Sequence, residues 1–348
     1  MQSLYVSFLL NIGLTAMAFK LVNKVKSTKH PHGFGTAKHA VIIGVDGMGG
    51  IYLRNYTSHL PAIQSFFDHG ASTTESRNLL PAKSAPNWAG YLTSMTVPQS
   101  GVFSKLWVMD DSDTSKMKTH HPPGSSRGPR PQTIFSVLKK QKASAKTSLY
   151  FTMSWLVEIA KKNQDIDYWF WGHEGISCGD NETETHCENR QDWNVQQRAI
   201  EGIERDQPTL TFIQLESVDA AGHTSHWASK SFYDMLKDTD KKIAGLLEAL
   251  EKTNTSSGKS MLSETIVAVI ADHGGYGNDH GVRAPSIPEI YVPILFRGPG
   301  IRKINLDKYE LDRRYISTLD APVTILNALG VKPGTYMRGR VLEEIYED

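Results

Sequence analysis

Seven side chains in this sequence are of the types that hold metals through oxygen and nitrogen. They fall in five short segments: Asp46 in VDGMG, Ser84 in PAKSAPNW, Asp219 and His223 in DAAGH, Asp272 and His273 in DHGG, and His280 in NDHG. Carboxylates gathered at one place repel and raise one another's pKa unless cations neutralise them. A mixed oxygen and imidazole donor set suits zinc better than calcium or magnesium, with manganese as the alternative. The Ser84 hydroxyl is a poor nucleophile alone, but a bound metal activates it by holding the alkoxide. No G-x-S-x-G surrounds Ser84, so an esterase-type triad is not indicated.

Each motif taken singly has a plainer reading. Asp46 ends a strand, Asp272 and His273 sit in a Gly-rich loop, and a serine before a helix is ordinarily a cap. Their placement on the predicted elements changes this. Residues 38–45 (KHAVIIGV), 210–215 (LTFIQL) and 264–270 (ETIVAVI) read as short, continuous, buried strands of a parallel sheet. All three run into Gly-rich, Asp-bearing loops. A further strand over 71–78 and a helix beginning near Pro86 put Ser84 at a strand-to-helix junction, where an anionic phosphate is favoured.

An amphipathic stripe predicts a helix over 232–250, and another is expected over 318–329 with Gly330 as its C-cap. Strands alternating with helices imply an α/β fold: a doubly wound, mostly parallel central sheet flanked by helices, in one domain spanning 38–348. Ligands of such sheets lie beyond the carboxyl ends of the strands. Two polar stretches, 110–131 and 172–191, read as surface excursions that roof this site.

The chain has 348 residues with 38 Lys+Arg against 37 Asp+Glu. That balance excludes affinity for nucleic-acid duplexes driven by a basic surface. Residues 3–19 are mostly apolar and precede Lys20, and Ala16-Met17-Ala18 has the small-x-small pattern of a signal-peptidase site. Residues 1–18 therefore read as a signal peptide, with an uncleaved signal anchor as the alternative, and residues 19–37 as a linker. No membrane span is expected in the mature chain. Cys178 and Cys187, the only cysteines, are expected to close a short loop as a disulfide. Asn55, Asn181 and Asn254 each begin an N-glycosylation sequon. Signal, paired cysteines and sequons together favour the secretory pathway.

The order VDGMG, KSAPN, DAAGH, DHGGYGNDHG resembles the alkaline phosphatase superfamily, and most closely its nucleotide pyrophosphatase/phosphodiesterase branch. The resemblance runs from about Lys38 to Glu344, including VPILFRGPGI and LDAPVTILNALGV. It implies two zinc ions: Asp46, Ser84, Asp272 and His273 binding the one that activates the nucleophile, and Asp219, His223 and His280 binding the other. It also implies a phosphoseryl intermediate on Ser84, with Asn87 and Lys105 contacting a small-molecule phosphate ester such as a nucleotide or lipid head group. Two departures matter. Many relatives use threonine as nucleophile, and Lys105 stands where relatives place an asparagine.

A secreted phosphodiesterase or nucleotide pyrophosphatase is the reading favoured here. Lys105 favours a phosphomonoesterase, because lysine's charge matches a dianion better than a monoanion. A transferase passing phosphoethanolamine to a sugar would use the same intermediate, and a non-catalytic secreted binding protein is the alternative from another class. An arylsulfatase would need an arginine after Ser84-Ala85-Pro86 that the sequence lacks.

Overall fold

The computed structural model describes residues 30–107, 132–282, 284–308 and 315–347. The expected signal segment 1–18 and the polar stretch 110–131 lie outside these residues. Residues 33–348 form one compact unit built on an eight-stranded sheet. Its strands are β1 His39–Val45, β2 Ala71–Arg77, β3 Thr147–Phe151, β4 Tyr168–Trp171, β5 Leu210–Leu215, β6 Thr265–Ile270, β7 Tyr291–Arg297 and β8 Ile304–Asn305. They lie in the order β4-β3-β5-β1-β6-β7-β2-β8.

The pairing is parallel throughout except at β7, which runs against both neighbours. The reason is the route of the chain. β6 ends at the edge that carries DHGG, the loop 271–290 stays at that edge, and β7 re-enters from it without a crossover. Because two antiparallel pairings restore direction, β2 points the same way as β1, β5 and β6. Every strand of the sheet but β7 therefore points its C-terminal end to one edge. β1 lies between β5 and β6 where the winding reverses, the position at which open α/β sheets bind ligands.

Side-chain alternation divides the core in two. Ala40, Ile42, Phe212, Ile266, Ala268 and Ile270 face one side of the sheet, and Val41, Ile43, Val45, Ile213, Val267 and Val269 face the other. Both faces are covered, which is why these strands read as unbroken apolar runs. The helix Lys230–Lys252 brings Phe232, Leu236, Ile243, Leu246 and Leu250 to the second face. The helix Asp320–Ala328 lies in the first. Gly330 follows it with φ +68°, the left-handed backbone expected of a C-terminal stop.

Two expected boundaries need correction. The stretch 172–191 is not wholly a surface excursion: a helix begins at Glu184 and continues to Asp206, with the Thr183 hydroxyl accepting the His186 N–H. The linker expected over 19–37 ends early, since Gly35 and Ala37 donate backbone hydrogen bonds to the carbonyls of Asn327 and Ala328.

Candidate active site

The loop after β1 sets Asp46 at the edge of the sheet, 1% exposed. Gly47 follows with φ +71°, and a Cβ there would come within 2.8 Å of the Asp219 backbone. That close approach brings the β1 and β5 loops together. The Gly47 N–H also donates to Asp272 Oδ1 at 3.2 Å, which draws in the β6 loop.

Ser84 is the first residue of the helix Ser84–Thr93, two positions earlier than the predicted start. Pro86 still falls in the first turn, where its missing N–H costs no hydrogen bond. The Ser84 hydroxyl is 3.4 Å from Asp46 Oδ1 and 3.1 Å from His273 Nε2. The structure thus gathers Asp46, Asp272 and His273 into one donor group and Asp219, His223 and His280 into a second. The two abut: the His273 and His280 rings stack with centroids 3.6 Å apart, and His273 Nδ1 is 4.0 Å from Asp219 Oδ1.

The tautomers of all three histidines follow from their surroundings. Nδ1 of His223, His273 and His280 lies 2.8, 3.0 and 2.8 Å from the carbonyls of Asn278, Gly274 and Ala82. A carbonyl can only accept, so each Nδ1 carries a proton, and each Nε2 offers a lone pair to a cation once its ring is neutral. The Nε2 atoms of His223 and His280 face each other at 3.2 Å, an arrangement that a shared cation resolves. Two carboxylate oxygens, Asp219 Oδ1 and Asp272 Oδ2, are buried with no hydrogen-bond partner among the described residues. Orphaned carboxylate oxygens beside imidazole lone pairs suit divalent cations bound through O and N.

Electrostatics give the same picture. Burial pushes the Asp46 carboxyl up to about 8, reinforced by the charge of Asp219 and opposed by hydrogen bonds from Trp88 and Gln214. Burial and the neighbouring charges of Asp46 and Asp219 push Asp272 well above the carboxylate range. Burial acts upward on Asp219 too, but His223, His280 and His273 outweigh it and hold that carboxyl at about 2. The hydrogen bond to Asp219 raises His223 to about 9. These are the strains of a charged site whose anions exceed its fixed cations.

A cleft of about 840 Å³ opens beside the two groups. Ser84, Asp219, His223 and His280 line it, with Lys83 and the exposed Lys105. Asn87 is a correction. Its side chain is fully buried and turned away from the cleft. Oδ1 accepts from the Leu79 N–H at 2.7 Å, and Nδ2 donates to the carbonyls of Leu79 and Lys83. The amide pins segment 79–83.

Several residues that shape the site carried no motif. Trp88 donates its indole N–H to Asp46 Oδ2 at 2.9 Å, and Trp227 donates to the Gly47 carbonyl at 2.9 Å. Asp192, fully buried, accepts from the backbone N–H groups of Glu216 and Ser217, both at 2.9 Å, and fixes the end of β5. Glu289 accepts from the N–H groups of Gly281 and Ser286 and holds the loop that carries His280. The one available signal was a carboxylate or tryptophan within otherwise apolar or helical sequence, which is too common to single out.

The profile of the type I phosphodiesterase / nucleotide pyrophosphatase family matches residues 40–319. The chain belongs to that family. Hydrolysis of phosphoric esters is the activity this membership supports in general. Among solved structures, an inactive variant of murine ectonucleotide pyrophosphatase / phosphodiesterase 5 in complex with AMP is similar at 12% identity, TM-score 0.64, over 89% of this chain and 100% of that one. Alkaline phosphatase PafA aligns at 12% identity, TM-score 0.65, over 92% and 100%. A 2-O GAG sulfatase, BT1596, aligns at 16% identity, TM-score 0.63, over 88% and 73%. At such identities these likenesses show the fold, an alkaline phosphatase-like sheet. The comparison with curated proteins finds no match.

The remaining expectations concern the surface. Cys178 and Cys187 form a disulfide with Cα atoms 5.5 Å apart. Asn55, Asn181 and Asn254 are all exposed. Among the described residues no helix is long and apolar enough to cross a membrane.

Proposed function

We propose that this family member is a metal-dependent hydrolase of phosphodiesters or nucleotide pyrophosphates acting through a phosphoseryl intermediate on Ser84. One observation carries the reading: the Ser84 hydroxyl faces Asp46 and His273 of one donor group while the second group, Asp219, His223 and His280, adjoins it. Two zinc ions, or manganese in their place, would supply the charge that makes a serine hydroxyl and a water nucleophilic near neutral pH and that offsets the phosphoryl oxygens.

The chain's own residues do the rest. Ser84 Oγ attacks phosphorus and displaces the alcohol or nucleotide leaving group. Water arriving on the side of Asp219, His223 and His280 then attacks the phosphoseryl phosphorus and releases the serine. Two inversions leave configuration at phosphorus retained. Lys83 and Lys105 in the cleft draw an anionic ester toward the helix that begins at Ser84.

A nucleotide is the first candidate substrate, supported by the AMP held by the murine relative; a lipid head group is the other. Lys105 in the cleft supports phosphomonoester hydrolysis as a second reading. The disulfide and the three exposed sequon asparagines support a secreted glycoprotein, tested by the mass lost on endoglycosidase treatment of protein from the culture medium.

The test of function uses zinc-loaded full-length protein with bis(4-nitrophenyl) phosphate and 4-nitrophenyl phosphate, each with and without chelator. A faster diester rate that chelation stops supports this reading. A faster monoester rate replaces it with the second. Turnover rising only with a sugar acceptor makes the chain a transferase. No turnover and no metal uptake makes it a binding protein.

A further inference from the structure

The helix Ser217–Ser225, which carries Asp219 and His223, passes to the helix Lys230–Lys252 through residues 226–229. Two of these hold backbone conformations that side chains avoid. His226 has φ +71° and ψ 142°, and Ala228 has φ +66°. His226 lies at the edge of a region that glycine alone occupies freely. Both side chains are exposed, so neither offsets the strain by its own packing. The residue they bracket is Trp227, 5% exposed. Backbone held against its preference persists where the surroundings fix it, and such residues gather at functional sites.

The surroundings of Trp227 are the segments that carry the donor groups. A Cβ on Gly222 would come within 2.6 Å of its ring, and one on Gly275 within 2.4 Å. The indole N–H donates to the Gly47 carbonyl and the backbone N–H to the Gly277 carbonyl, both at 2.9 Å. One residue thus ties together the loop after β1, the helix after β5 and the loop after β6. Its ring also stands at 81° to that of His223 and at 70° to that of His280, with centroids 5.2 and 5.9 Å away. Such edge contacts limit rotation of both imidazoles. Apolar packing alone would call for neither the strained turn nor two hydrogen bonds into these loops.

We infer that Trp227 is a positioning residue of the second donor group: the strained turn 226–228 presses its indole between Gly222 and Gly275, and the indole fixes the rings of His223 and His280 with their Nε2 atoms turned to one point. The inference rests on the reading that Asp219, His223 and His280 hold a cation, and it is independent of which ester is cut.

The test is zinc titration of the metal-stripped full-length protein, in competition with a chromophoric chelator. His223→Ala identifies the second group's zinc as the equivalent that this variant loses. Trp227→Phe should weaken that same equivalent at least about tenfold and leave the other unchanged. Cobalt(II) in place of zinc gives a readout that loss of packing alone does not move. The visible bands of the second equivalent should shift in Trp227→Phe, while those of the first superimpose on the wild type. Equal weakening of both equivalents, or unchanged affinities and spectra, overturns the inference.

If Trp227→Phe does not fold alone, it is measured in a His226→Gly background, which gives the turn a residue suited to its backbone. His226→Gly by itself should raise the Tm of the chelated protein and bind both equivalents as the wild type does. A Tm that falls instead overturns the strained turn. If the wild type takes up no zinc, the metal reading fails and the inference fails with it. If the selective loss is seen and neither nitrophenyl ester is cut, the phosphodiesterase reading fails and the positioning role stands.

Discussion

Trp88 donates its indole N–H to Asp46 Oδ2 at 2.9 Å, and this bond turns Oδ1 of the same carboxylate toward Ser84 and His273. The indole can lie there because residue 44 is glycine: a Cβ on Gly44 would come within 2.5 Å of the Trp88 ring. A residue with no donor motif around it thus orients the carboxylate that the Ser84 hydroxyl faces.

Trp88→Phe keeps most of the packing and removes only the donor. Its expected effect is a loss of about 10- to 100-fold in metal affinity, the usual cost of losing a hydrogen bond that orients a ligand. Competition against a chromophoric chelator measures it. Unchanged affinity would reduce Trp88 to a packing role.

The pH dependence of stability should differ between metal-free and metal-loaded protein. Asp46 has a folded pKa of about 8 against an ordinary 3.8, so its contribution is fully present below pH 3.8 and is lost as pH rises through 8. His223, raised to about 9 from 6.5, acts in the same direction between those values. Chelated protein should therefore lose stability from pH 5 to pH 8, while metal replaces the missing protons. The gap in Tm between the two forms should widen over that range, as followed by scanning calorimetry. A gap that narrows toward pH 8 contradicts the electrostatic account.

Lys105→Asn removes a charge from the cleft and should shift preference from monoester toward diester. A change of about tenfold in the ratio of the two kcat/KM values is expected, equal to about 1.4 kcal/mol. Steady-state kinetics with the two nitrophenyl esters measures it, and a ratio that does not move excludes Lys105 from phosphoryl recognition.

Much of this arrangement was legible in the sequence because burial on both faces writes β1, β5 and β6 as continuous apolar runs. A strand's carboxyl end then locates Asp46, Asp219 and Asp272 without any long-range information. The reversal of β7 was not legible, since an apolar run carries no direction. Asn87 misled for a related reason: its type suits phosphate, but its place in the first turn after a tight segment commits the amide to backbone groups at 79–83. The helix start at Glu184 was hidden because Glu184 to Gln191 is almost entirely polar, and its buried side brings Glu188 to the cleft rather than to the apolar core. What sequence could not show at all was which unpaired side chains share the cleft, a property of the closed fold.

The central claim is that Ser84 is the nucleophile between two metal-holding groups. Its most direct test is Ser84→Ala, measured for bound zinc and for diester turnover in the same preparation. The account predicts turnover reduced at least about 1,000-fold, with metal retained by Asp219, His223 and His280. Turnover at the wild-type rate with metal still bound would contradict it.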